Sequence, residues 1–479
     1  MRMTEERGLE RSAWPERMES LDELTFAIDG MGSRAASVRC ASVASCAALL
    51  RDPLHRGVLR ETPGMTRRLL EALDAVAERC ESAGAAGAAA AGEWGGLISI
   101  LESLLVEDDG RRMGPATLPS VHVTSFLVGC LARPPPAPGN ALAVLTRWSL
   151  RYPAYLDVLR ALGATAKVTD EACRLGARVD ALDAPGLATL EASLELLAVA
   201  CESGVGAGAG TRSKSRSGAD DDGSDGDGDE DDGDGDGAAG TLMGAVHAVL
   251  GRRKVGSAHV QCDRLAVVAL SLVMHVTHRS RAAARHVARH FVPVLSDTLA
   301  AAAAGRYLGR GGEGEGRCDK GKGDGDVQGG EGEGESEQDA RRLALGAALN
   351  CCAIVTNVAE SLDAGACEGG GSRADLCAHI EAHFSAAFPA ALEAHGSHDE
   401  PQAIAAVAAL SGMALAALMP ACPAAAASIR RARARIPPLD DGEDPFLLSL
   451  TWLLDGHTGA SGFCVHTIRR LAAALRAQD

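Results

Sequence analysis

The sequence predicts an all-α protein, and three observations carry that expectation. Alanine dominates the composition while aromatic residues make up only 3% of 479 residues. Alanine has the highest intrinsic helix propensity and no side-chain entropy to lose. Apolar residues recur at helical spacing in many segments, and no segment alternates apolar and polar residues as a half-buried strand does.

The elements follow in order. Leu21, Leu24, Ile28 and Met31 fall at i, i+3, i+7 and i+10, one face of a first helix. Asp29–Gly30 closes that helix in the simplest reading, with Gly30 left-handed just past its end and Phe26 and Met31 in the core. Six later runs are apolar nearly all round: "ASVASCAALL", "VTSFLVGCLA", "LEASLELLAVAC", "LAVVALSLVMHV", "LALGAALNCCAIV" and "AIAAVAALSGMALAALM". Val465, Ile468, Ala472 and Leu475 restore an amphipathic face near the C-terminus. Fully buried helices flanked by half-buried ones suit a stack of helical pairs. A HEAT- or armadillo-like solenoid is therefore expected, although the spacing of the runs shows no fixed repeat period. Pro401–Ile429 carries no charge and "RRARAR" follows it, but the stretch is mostly alanine and Pro420 and Pro423 interrupt it. Two buried helices are expected there rather than a membrane span.

Charge divides the chain. Ala219–Gly237 holds eleven acidic residues and no basic one, and Arg310–Asp339 holds ten acidic and four basic. These two tracts account for the whole net charge of −17. Glycine-rich acidic segments bury too little apolar surface to offset the entropy of ordering, so disordered linkers are expected. The organisation that follows is a flexible N-terminus (1–17), an N-terminal helical-repeat lobe (18–203), an acidic linker (204–240), a middle helical segment (241–304), a Gly/Glu-rich linker (305–337) and a C-terminal helical-repeat lobe (338–479). With the acidity confined to linkers, the folded part has no strong field to steer nucleic acid or a membrane surface toward it, and direct contact with either is not expected. Fourteen cysteines include no C-x-x-C pair, and the charged start lacks an apolar leader core. Both features fit free thiols in a reducing, intracellular compartment.

Candidate chemistry is sparse. "GRCDKGKG" (Gly316–Gly323) approaches a phosphate-binding loop but has Gly323 where a hydroxyl would hold magnesium, and neither strand nor helix frames it. "DGDGDG" (Asp232–Gly237) mimics half an EF-hand loop, yet Met243 stands where a bidentate glutamate should close the shell. His286 and His290 have chelating i, i+4 spacing beside His275 and His278, but Arg279, Arg281, Arg285 and Arg289 would repel a dication. A solvated basic helix is the expectation. "RSKSRSG" (Arg212–Gly218) and "RRARAR" (Arg430–Arg435) would suit nuclear import or phosphate contact, as such patches on many surfaces would. No nucleophile, base or metal motif supports an enzyme, and no cofactor is expected.

The stretch "LDELTFAIDGMGSRAASVRCASVASCAALLRDPLHRGVLRETPGMTRRLLEA" (Leu21–Ala72) carries the strongest signal. It resembles the start of the conserved domain of the wings apart-like cohesin-release factors, plant type, at Asp22, Phe26, Asp29, Gly30, Met31, Arg39, Ala41, Ser42, Leu59, Arg60 and Gly64. "LALGAALNCCAIVTNVAE" resembles a later helix of that family, with Asn357 and Glu360 in register, and the C-terminal helices follow in family order. The chain has no Phe-Gly motif of the kind animal members carry. The resemblance implies an all-α solenoid, a nuclear and chromatin-associated protein with the cytoplasm as a second location, and binding to cohesin subunits and their HEAT accessory protein. Arg34, Arg39, Arg51, Arg56 and Arg60 lie around the second helix and the turn beyond it. Arginine suits interfaces because its planar fork pairs with carboxylates, so this set is the candidate partner surface. A solvated face with local ion pairs is the competing reading, and a generic helical-repeat adaptor is the competing function.

Overall fold

The computed structural model describes residues 14–82, 88–106, 120–131, 137–202, 236–251, 260–304, 332–362, 370–393, 400–420, 422–436 and 444–456, with single positions between 469 and 476. The described residues are almost wholly helical, and no strand occurs among them. The chain divides into two units, Met1–Ala209 and Gly210–Asp479.

The first unit contains α1 (Trp14–Met31), α2 (Ala36–Leu49), α3 (Pro53–Glu61), α4 (Met65–Ser82), α5 (Ala88–Leu105), α6 (Val121–Cys130), α7 (Ala137–Arg151), α8 (Tyr155–Ala161), α9 (Ala164–Gly176) and α10 (Ala184–Glu202). Its helices lie in two rows. One row runs α2, α5, α7, α10, and the other runs α1, α4, α6, α8, α9. Across the rows α1 packs on α2, α4 on α5, α6 on α7 and α9 on α10, while short α3 lies against α1 and α4. Small residues let the rows close up: a Cβ on Gly96 of α5 would sit 2.4 Å from Cγ1 of Val43 on α2. Helix α10 is the one described helix long and apolar enough to cross a membrane by length and composition. Here it buries Leu190, Leu194, Leu196 and Leu197 in the unit.

The second unit contains α11 (Asp236–Gly251), α12 (Val260–Arg279), α13 (Arg281–His290), α14 (Val292–Ala304), α15 (Gly332–Val358), α16 (Gly370–Glu393), α17 (Glu400–Leu418), α18 (Pro423–Arg435) and α19 (Pro445–Gly456). The same arrangement recurs. Helices α12, α15, α17 and α19 form one row, and α14, α16 and α18 the other. The middle segment and the C-terminal lobe expected from the sequence are thus one unit. The physical reason is α12, whose Leu265, Ala269, Leu270, Leu272 and Val273 are all buried. Its main partner is α15, beyond the second acidic tract. Helices α11 and α15 also begin inside the stretches expected to be linkers, while residues 203–235 and 305–331 lie outside the described residues. So do the near-match loop at 316–323, most of the EF-hand-like run, "RSKSRSG", and the C-terminal face at Val465 and Ile468. The uncharged stretch from Pro401 is two helices, α17 and α18, broken between Leu418 and Pro423.

Side-chain stitches hold the second unit's rows. Asn350 and Asn357, two turns apart on α15, donate their amides to the carbonyls of Val267 and Met274 on α12, each at 3.1 Å. Donors and acceptors share the same seven-residue spacing, so the two helices run in register. His379 and His383 on α16 reach Ser296 Oγ at 3.0 Å and the Leu299 carbonyl at 2.9 Å on α14.

Candidate functional site

Helices α1–α4 build the segment that carries the resemblance, with α1 packed on α2, α3 and α4. Gly30 is helical rather than left-handed. The two described glycines with positive φ are Gly64 (79°) and Gly163 (64°). Gly30 is needed for a different reason: a Cβ there would fall 2.0 Å from Oγ and 2.9 Å from Cβ of Ser42. Ser42 is itself buried on α2. The pair sets the approach of α1 to α2. Asp29 is exposed and pairs with Arg68 of α4 at 2.7 Å, and its carbonyl accepts the Gly32 N–H at 3.1 Å. Gly64 takes the left-handed turn between α3 and α4.

The five candidate arginines differ in exposure and in partners. Arg34 and Arg51 are exposed. Arg39 Nη1 donates to the carbonyls of Ser33 (3.1 Å) and Arg34 (2.9 Å). Arg56 Nη1 donates to those of Leu50 and Arg51, both at 2.8 Å. Arg60 donates to the Val106 carbonyl, just past the end of α5. The motif is consistent: Arg39 and Arg56 each occupy the fourth position of their helix, α2 and α3, and each reaches back five and six residues. Two further arginines act alike, Arg79 on the Met31 carbonyl at 2.8 Å and Arg151 on the Leu105 carbonyl at 3.1 Å. Helix C-termini leave carbonyls without intrahelical partners and carry partial negative charge. A guanidinium with five donors on a long stem serves several such carbonyls at once. The ends of α1, α2 and α5 are therefore held by arginine. Of the five arginines proposed as a docking face, Arg39, Arg56 and Arg60 each spend at least one guanidinium nitrogen on backbone carbonyls.

Arg39 also approaches a buried carboxylate, Glu93 on α5, with Nε 3.3 Å from Oε1. The thiols of Cys40 and Cys80 reach the same carboxylate at 3.5 and 3.6 Å. Burial pushes the Cys40 thiol up, with Glu93 adding to the shift. This cluster joins α2, α4 and α5 in the interior.

Phe26 departs furthest from expectation. It is 83% exposed rather than in the core. The buried face of α1 is Leu24, Ala27, Ile28 and Met31, at i, i+3, i+4 and i+7. Two residues past Leu24, Phe26 is turned about 200° away, onto the opposite face. There it lies among carboxylates: Asp22 and Glu23 one turn before it, Asp29 one turn after it, and Glu19 two turns before. Glu23 contacts His55 of α3 at 2.9 Å, and Arg17 pairs with Glu61.

In the second unit three arginines of the "RRARAR" run, Arg431, Arg433 and Arg435, make ion pairs within the chain, while Arg430, Arg431 and Arg435 remain exposed. Arg431 binds the buried Glu381 of α16 through Nε (3.0 Å) and Nη2 (2.7 Å). Arg435 adds a contact to the same carboxylate at 3.2 Å, and Arg433 pairs with Asp444 at 2.5 Å. Asp444 also caps α19 by accepting the Phe446 N–H at 2.8 Å. Burying a carboxylate this deeply is costly unless it is paired and hydrogen-bonded, as it is here. Asn357, in the family register, is likewise a stitch, with a second contact to Thr277 Oγ1 at 3.3 Å. The side chain of Glu360 lies outside the described residues. The rings of His286 and His290 stand 4.6 Å apart. Among the described residues no group of three or more His, Cys, Asp or Glu could hold a metal.

Spacing alone could have found the arginine caps, because an arginine at the fourth position of a helix that follows a short break recurs at Arg39 and Arg56. Nothing local announces Arg60, Arg79 or Arg151, whose carbonyl partners are over forty residues away. Compared with known proteins, the chain matches no family model and no curated protein.

Proposed function

We propose that this chain is a regulator of cohesin that works by binding, without catalysis of its own. In this reading it is a HEAT/armadillo-like solenoid that engages cohesin and its HEAT accessory subunit in the nucleus. There it promotes release of the ring from chromatin and so acts in sister chromatid cohesion and chromosome segregation. The observation that carries the proposal is the resemblance of Leu21–Ala72 to the start of the wings apart-like domain. Two features support it. Several residues of that resemblance have packing or turn roles in α1–α4, with Gly30 on Ser42, Arg39 on the α1–α2 turn and Gly64 in the left-handed turn between α3 and α4. The two-row stacking within each unit is the packing that helical-repeat solenoids use. Such a protein needs no ATP site: binding one state of the ring better than another shifts the population toward it.

A generic helical-repeat adaptor is the second reading, favoured by the same two-row stacking without the hairpin resemblance. The test is affinity purification of the tagged chain from its own nuclei, with mass spectrometry of what comes along. Recovery of the ATPase subunits, kleisin and HEAT accessory subunits at low salt supports the release-factor reading. Abundant other partners without cohesin would leave only the adaptor.

A further inference from the structure

We infer that the outer face of α1, centred on Phe26, is a docking site for a basic, arginine-bearing segment of a partner protein. Phe26 is the one exposed aromatic among the residues whose side chains are described, in a chain with seven phenylalanines. Leaving a phenylalanine in water forgoes about 2 kcal/mol of burial. Met18, 44% exposed, stands two turns before it on the same i, i+4 ridge, with Asp22 between them. Among the described helices, the substantial contacts of α1 are with α2, α3 and α4. Its face away from them carries Glu19, Asp22, Glu23 and Asp29, and with them Phe26 and Met18.

Charge complementarity names the occupant. Asp29 and Glu23, one turn to either side of Phe26, contact Arg68 and His55. Glu19 and Asp22 are exposed. An aromatic face bordered by carboxylates suits a guanidinium, which stacks on the ring while its edge meets the acids. Apolar residues of the same segment would cover Met18. Nucleic acid and anionic membranes carry the wrong sign for this face. The surface is separate from the arginine set predicted from sequence, and it stands whether or not the partner is cohesin.

The test titrates the full-length protein with a fluorescein-labelled 20-residue helical peptide in which arginines flank leucines, followed by anisotropy. A second peptide replaces every arginine with glutamate. Wild type is expected to bind the arginine peptide and not the glutamate one. Phe26→Ser is expected to weaken binding about tenfold, and Glu19→Lys with Asp22→Lys at least as much. Both variants should keep the wild-type melt, since these side chains are exposed. Phe26→Ser leaves the net charge untouched, so capture by the acidic tracts would be the same in variant and wild type. Unchanged affinity for Phe26→Ser, equal binding of the glutamate peptide, or no binding at all would each overturn the inference. So would a photo-crosslink from p-benzoylphenylalanine at position 26 that lands on residues 1–13 of the same chain. Failure to recover cohesin from nuclei leaves this inference intact, which separates the two proposals.

Discussion

Arg56→Met separates an arginine that caps a helix from one that binds a partner. Arg56 is 7% exposed and donates to the Leu50 and Arg51 carbonyls, both at 2.8 Å. Methionine keeps most of the apolar stem and its packing but removes the donors. A hydrogen bond from a charged donor contributes about 1.5–3 kcal/mol. The two carbonyls are unequal. Arg51 is exposed, so water can replace the lost donor at its carbonyl. Leu50 is fully buried, and its carbonyl loses a partner that water replaces poorly. A loss of about 2–3 kcal/mol follows. For a unit of this length it lowers Tm by roughly 5–10 °C. The assay is thermal unfolding of the full chain with hydrogen exchange read on the peptides of unit 1. Amides at the end of α2 should lose protection first. Arg51→Met, an exposed control, should stay within about 0.5 kcal/mol of wild type. If Arg56→Met melts as wild type does while partner recovery collapses, the capping argument is refuted and the docking face stands.

Three further outcomes are expected. Gly30→Ala forces α1 away from Ser42 and should cost about 1–3 kcal/mol by overpacking, despite alanine's better helix propensity; Ser42→Gly added to it should restore much of the loss in chemical denaturation. Asn357→Ala removes a stitch from α15 to α12 and should cost about 1–2 kcal/mol. With Asn350→Ala the losses should add, since the sites are two turns apart, and strong coupling in a double-mutant cycle would argue against independent stitches. Burial depresses the pKa of His383, whose Nε2–H donates to the Leu299 carbonyl. Its contribution is complete above the unfolded value of about 6.5 and is lost as pH falls below it through the depressed folded value. Stability should therefore drop on acidification from pH 7, and His383→Gln should flatten that slope. An identical slope in the variant would assign it to other groups.

Much of the helical character was legible without coordinates, for a local reason. Helix propensity and apolar periodicity are properties of neighbouring residues, so the all-α class, the break between Leu418 and Pro423 and the buried runs in α2, α10, α12, α15 and α17 follow from them. The buried face of α1 was legible too, and it already excluded Phe26: an aromatic residue is not core when its angle on the helix is wrong. What the sequence determined by itself is where helices form and which faces they must hide. Which helix hides each face was decided only in three dimensions. Helix α12 finds α15 across an acidic tract. Gly30 meets Ser42 through space rather than taking a left-handed turn. Among the arginines read as a docking surface, Arg60 turns to a carbonyl 46 residues away. The reason is that hydrogen bonds and close packing depend on distance and angle between groups, and sequence spacing fixes these only within a few turns of one helix.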